Sequence, residues 1–154
     1  MITIQIRGLE QVVGNMDYGV LVEEPLRRFL LRSALTVESH AKENAPVDTG
    51  RLRASIASRV EQTQATISPS VFYAPYVEFG TRPHWPPMAA LQPWAQRHGF
   101  PPGSPGAFLI ARAISRHGTK PHPYMQPAAL QSLSAIQGFA ADLATEIENN
   151  WSAS

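Results

Sequence analysis

AKENAPVDTGRLRASIASRV, residues 41–60, is where the spacing of the apolar side chains changes, and that change decides the fold class. Before it, from about Glu23 to Asn44, Leu26, Phe29, Leu30, Val37 and Ala41 share one helical face, and Glu23/Arg27, Glu24/Arg28 and Glu38/Lys42 are spaced i,i+4 on the exposed side. Two acids at its start suit the positive end of a helix dipole, Pro25 suits a first turn, and Pro46 forces a stop. About 22 residues would make a rod of ~33 Å. After Pro46, Asp48 and Gly50 supply turn chemistry. Leu52, Ala54, Ile56 and Val60 then alternate with Arg51, Arg53 and Arg59, as in a strand with one face inward. A helical period gives way to a period of two within a few residues, which predicts a mixed fold.

Outward from this switch, Ile2, Ile4 and Ile6 in MITIQIR alternate with polar neighbours as a short strand that needs a sheet to join. A strand over about Ala65 to Tyr73 would pair with the Leu52–Val60 run as a hairpin across Glu61 to Gln64. At the far end, Ala129, Leu133, Ile136, Ala140, Leu143, Ile147 and Trp151 recur at spacings of three and four, which predicts a second long helix over Pro127 to Trp151. The first half of that helix carries Ser, Gln and Ala on its outer side, as a solvated face or a covered one would. The expected class is therefore α+β, an antiparallel sheet packed by a long N-terminal and a long C-terminal helix. At 154 residues, one domain with one core is expected.

Between these elements the chain repeats itself. GTRPH, residues 80–84, returns as GTKPH, residues 118–122. WAQRHG and AISRHG both end in Arg-His-Gly, basic residues and a glycine that suit a helix C-terminus. Helices are expected over about Gln92–His98, with Pro93 in its first turn, and Ala107–His117; FPPGSPG joins them. Each repeated pentapeptide then reads as a glycine-capped stop followed by an extended step, enclosing an inserted arm at about 82–120. Two copies fall short of a solenoid.

The charges are segregated. Charged residues make up only 16% of the chain against a usual quarter, so much of its surface is uncharged. No Asp or Glu lies between Phe79 and Ala141, a stretch holding Arg82, Arg97, Arg112, Arg116 and Lys120; the remaining eight of the thirteen basic residues face all twelve acids. A positive segment on a negative remainder could attract an acidic partner, bring neighbouring copies together, or face DNA. No cysteine is present, which fits folding in a reducing cytosol. The start lacks a secretory signature and no run is long and apolar enough to span a membrane, so a soluble protein is expected.

Catalytic chemistry finds no constellation. His84, His98, His117 and His122 lack the spacing of a metal site, and no metal or cofactor is expected. Across Gln62 to Ala141 the only carboxylate is Glu78, and neither a G-x-S-x-G elbow nor a glycine-rich phosphate loop occurs. These patterns argue against an enzyme. Glu78 stands in YAPYVEFG among aromatic residues, where an unpaired carboxylate is costly to desolvate, so a structural ion pair with Arg51, Arg53 or Arg82 is expected.

Three stretches read together carry a resemblance: APVDTGRLRASI (45–56), YAPYVEFGT (73–81) and PYMQPA (123–128). In order and phrasing they resemble the head-tail joining or neck proteins, also called tail-completion or minor tail components, of long-tailed double-stranded DNA bacteriophages. The chain departs from that pattern in its longer excursion, His84 to His117, and in Tyr-Met-Gln where the family often has Phe-Leu-Arg. The resemblance implies a structural virion protein of the neck, a homo-oligomeric ring of six or twelve copies assembled in the host cytoplasm. Such a ring joins the head connector to the tail and completes the DNA exit channel without sequence-specific binding. On that reading Arg82, His84, Trp85, Trp94, Phe100, Phe108, Lys120, His122 and Tyr124 are expected at subunit interfaces, with Arg97, Arg112 and Arg116 facing the channel. The alternative is a stand-alone DNA-binding module using the basic 82–120 segment, which predicts salt-steep affinity for duplex DNA.

Overall fold

The computed structural model describes residues 1–5 and 19–153; Ile6 and Arg7, expected in the first strand, lie outside the described residues. Among the described residues the order is β1 (Ile2–Gln5), α1 (Gly19–Asn44), α2 (Arg51–Ser55), β2 (Ile56–Val60), β3 (Gln64–Pro69), α3 (Ala74–Phe79), α4 (Met88–Arg97), α5 (Gly106–His117) and α6 (Met125–Ser152). The fold is α+β. The chain divides into two compact units, residues 1–74 with 123–154, and residues 75–122.

In the first unit β3 is the central strand, antiparallel to β1 on one side and β2 on the other. Ala65 and Ile67 sit opposite Ile4 and Ile2 of β1 and Val60 and Ser58 of β2, so these residues share a face. The Glu61–Gln64 connection closes on a backbone bond from Glu61 N–H to the Gln64 carbonyl at 2.8 Å, as the hairpin reading required. α1 lies against this sheet and buries Leu26, Phe29, Leu30, Val37 and Ala41. One helix carboxylate reaches the sheet directly: Glu38 accepts from the Ser58 backbone N–H at 2.8 Å and from Lys42 Nζ at 2.5 Å.

α6 packs along α1 in the opposite direction. The pairs Arg28–Glu146, Arg32–Asp142 (3.3 Å), His40–Ser132 (2.9 Å) and Asn44–Gln131 (3.0 Å) rise on one helix as they fall on the other. The Arg32 guanidinium also lies 4.1 Å from the centre of the Phe139 ring. Fully buried Ala34, Ala128, Ser33 and Ser132 need little room, which suits close approach of backbones.

Four local expectations are corrected. α1 begins at Gly19, so no acid occupies its first turn and Pro25 lies inside the helix. Val22 and Leu26, one turn apart and both buried, carry the helix through the proline by their packing. Arg51–Ser55 is a helical turn rather than the start of a strand. Leu52 and Ile56 are both buried at i,i+4, a spacing either structure could use, and Gly50 in the left-handed region (φ 77°) starts the turn. β3 stops at Pro69, short of Tyr73, because Ser70–Tyr73 turns into α3. Finally, Leu133, Ala140 and Trp151 are exposed on α6: the side turned to the core carries Met125, Ala128 and Ser132.

In the second unit α4 and α5 pack against each other. α4 starts at Met88, four residues before the expectation, with Pro93 in its interior. Pro87 at φ −62° and ψ 123° delivers an extended chain into it, and Met88-Ala-Ala-Leu supplies helix formers. α5 meets its expected limits within one residue. Its residues Gly106, Ala107 and Ala111 are buried, and a Cβ on Gly106 would meet the Phe100 ring at 2.4 Å.

Candidate functional site

The repeated pentapeptides pair with each other. Thr81 and Thr119 form an isolated antiparallel bridge in which each backbone N–H donates to the other's carbonyl at 3.2 Å. Their hydroxyls bond each other at 3.1 Å, and the Thr119 N–H also reaches the Thr81 hydroxyl at 3.1 Å. The glycines before the threonines make this approach possible. A Cβ on Gly118 would stand 1.9 Å from the Thr81 carbonyl oxygen, and one on Gly80 2.3 Å from that of Thr119. Both have positive φ, and Gly118 at φ 69° and ψ −160° occupies a region open essentially to glycine alone. His122 N–H donates to the Val77 carbonyl at 2.8 Å, which ties the second copy back to α3. The repeat is thus a clasp whose two halves differ only in Arg82 and Lys120, and the excursion leaves and returns through it.

Beyond the clasp, the excursion shows its large side chains to solvent. Trp85 and Phe108 are 54% and 47% exposed and lie edge to face with ring centres 5.9 Å apart. Trp94 stacks on His98 at 3.8 Å, and His98 Nδ1 approaches the Trp94 carbonyl at 2.9 Å. On α5, Phe108, Arg112 and Arg116 follow at i, i+4 and i+8 with Leu109 beside them, all exposed. Arg82, His84, Arg97, Lys120 and His122 are exposed as well. Two residues expected at an interface lie otherwise: Phe100 is half-buried under α5, and Tyr124, 1% exposed, fills the core of the first unit. Glu78 is buried; Arg51, Arg53 and Arg82, named as its expected partners, have exposed side chains.

The motif residues gather around α2 and the turn after β3. Arg51, Ser55, Ser70, Phe72 and Tyr73 line a shallow recess, with Phe72 almost wholly in solvent and edge to face with Tyr73. These belong to APVDTGRLRASI and to the residues leading into YAPYVEFGT. The family model described as "Bacteriophage HK97-gp10, putative tail-component" matches residues 15–80, the stretch holding the first motif and all of the second but Thr81. Over this stretch the chain resembles a bacteriophage tail component. The match ends at Gly80, the first residue of the clasp, so the excursion and α6 lie outside the matched residues. No curated protein and no solved structure matches the chain.

Sequence reading did not foresee the pairing of the two threonines, the outward Phe72 and Phe79, or the exposed apolar side of α6. The first had a signal. Two pentapeptides that differ only at Arg82 and Lys120, each able to turn at glycine and run extended into proline, have the symmetry of an antiparallel bridge. The others had none, since exposure of a single phenylalanine is set by tertiary packing.

Proposed function

We propose that the chain is a structural protein of the phage neck, forming a ring that joins the head connector to the tail and completes the DNA exit channel. The match over residues 15–80 to a tail-component family carries this reading. The uncovered apolar residues of the structure support it. Phe72, Phe79, Leu130 and Leu133 are each more than half exposed, a pattern of surfaces that meet other proteins. The protein acts on this reading as a building block, with contacts between subunits and adjoining layers as its chemistry.

Electron microscopy of virions carrying a tagged copy tests it. Density at the junction of head and tail is expected, and omission of the chain is expected to leave filled heads and separate tails. Location elsewhere in the particle, or normal joining without the chain, overturns the reading.

A further inference from the structure

The two units carry opposite charge and each exposes apolar residues. The unit of residues 75–122 holds five Lys or Arg and a single acid, the buried Glu78, which leaves eight of thirteen basic and eleven of twelve acidic residues to the other. The exposed side of α5 alternates two kinds of group, Phe108 and Leu109 with Arg112 and Arg116. Neither arginine takes part in a salt bridge among the described residues. α6 offers the counterpart. Its acids all lie in its C-terminal half, and its exposed side there runs Ala140, Ala144, Glu148 and Trp151. Arg32 and Arg28 engage Asp142 and Glu146, but Glu148 has no such partner among the described salt bridges.

We infer that α5 of one copy docks on the C-terminal half of α6 of a second copy. In that contact Phe108 and Leu109 lie against the apolar groups of α6, and Arg112 and Arg116 lie against its acids. A second copy is favoured over duplex DNA because the α5 face is half apolar, and a phosphate backbone offers nothing to cover Phe108 and Leu109. Two different patches on one chain that complement each other make a head-to-tail contact, which closes into a ring when the rotation allows. Arg112 and Arg116 then belong to the neighbouring subunit and not to a channel wall. The inference takes its setting from the ring reading, but its readout is separate.

The chain has no cysteine, so introduced ones report without background. Full-length Ala113→Cys and Ala144→Cys chains, mixed under a mild oxidant, are expected to give a crossed disulfide dimer at least tenfold more abundant than either like-with-like dimer. Adding Arg112→Glu and Arg116→Glu to the Ala113→Cys chain is expected to cut that yield at least tenfold. Glu148→Arg on the partner is expected to restore part of it. Circular dichroism of each variant should match the parent, since every site is exposed.

Like-with-like dimers as abundant as crossed ones overturn the inference, as does a yield indifferent to charge reversal. So does the absence of crossed product both in solution and in assembled particles. Salt-steep binding of duplex DNA that Arg112→Glu and Arg116→Glu abolish, with no crossed disulfide, assigns the face to DNA instead. A chain found at the neck without crossed product sinks this contact alone; crossed product from a chain absent from the neck sinks the ring's placement alone.

Discussion

The unit of residues 1–74 and 123–154 is filled by Leu26, Phe29, Leu30, Val37, Ile56, Ile67 and Tyr124. The unit of residues 75–122 buries Ala95, Ala107 and Ala111, while Trp85, Trp94, Phe108 and Leu109 stand partly in water. Each fully buried large side chain contributes roughly 1.5–3 kcal/mol, and an alanine methyl far less. The first unit can thus hold itself together by apolar burial. The second relies on its backbone: prolines that narrow the unfolded ensemble, glycines with positive φ at its corners, and the Thr81–Thr119 clasp. A segment held in this way keeps its aromatic residues free for a partner, and one already stiff loses less entropy on docking.

The largest effect should come from the core of the first unit. Leu30 is fully buried on α1, and Leu30→Ala is expected to destabilise by about 2–5 kcal/mol, lowering the melting temperature on the order of 10 °C. Calorimetry measures the drop, and hydrogen exchange shows where it acts. Protection at Ala107 and Ala111 should survive under conditions where that of α1 is already reduced. Simultaneous loss in both units would mean that they unfold as one, and the contrast between them would fail.

The next effect belongs to the clasp. Gly118→Ala places a Cβ on the Thr81 carbonyl and forces alanine into a glycine-only conformation, which together should cost about 2–4 kcal/mol. Limited proteolysis is expected to cut within 82–118 much faster than in the parent chain, with the melting of the first unit nearly unchanged. An excursion as resistant as before would show that the packing of α4 on α5 suffices and that the clasp is incidental.

The same contrast explains what could be read from the sequence. α1 and the hairpin announced themselves because each commits an apolar stripe to a core at its own period; α6 was legible as a helix although Leu133, Ala140 and Trp151 of its stripe are exposed, and α5 was marked by the Arg-His-Gly stop at its end. Arg51–Ser55 misled because Leu52 and Ile56 satisfy the helical spacing while their neighbours also alternate. α4 and Pro93 misled because the excursion has so little apolar interior that periodicity carries no signal there, and local backbone chemistry decides. For the candidate surface, composition identified the basic segment and most of its exposed residues. It could not say which aromatic residues turn inward: Tyr124 fills a core, whereas Trp85 and Phe108 share an open face, and only packing separates them.

The smallest effect sharpens how the first unit joins helix to sheet. Burial acts to raise the Glu38 pKa, but hydrogen bonds from Lys42 and Ser58 and the Lys42 charge outweigh it, and the carboxyl titrates below the ordinary 4.5. A carboxyl with a lowered folded value binds its proton more readily when unfolded, so its contribution is fully present above about pH 4.5 and is lost as pH falls through the folded value. Glu38→Gln is therefore expected to cost about 1 kcal/mol at pH 7, since the amide oxygen can still accept from Ser58 N–H but no longer holds Lys42 as an ion pair. Urea denaturation of the two chains from pH 7 down to pH 3 should show that difference shrinking as the acid side is entered. A difference constant across that range would mean that the charge contributes nothing, and that α1 is held to β2 by apolar contact alone.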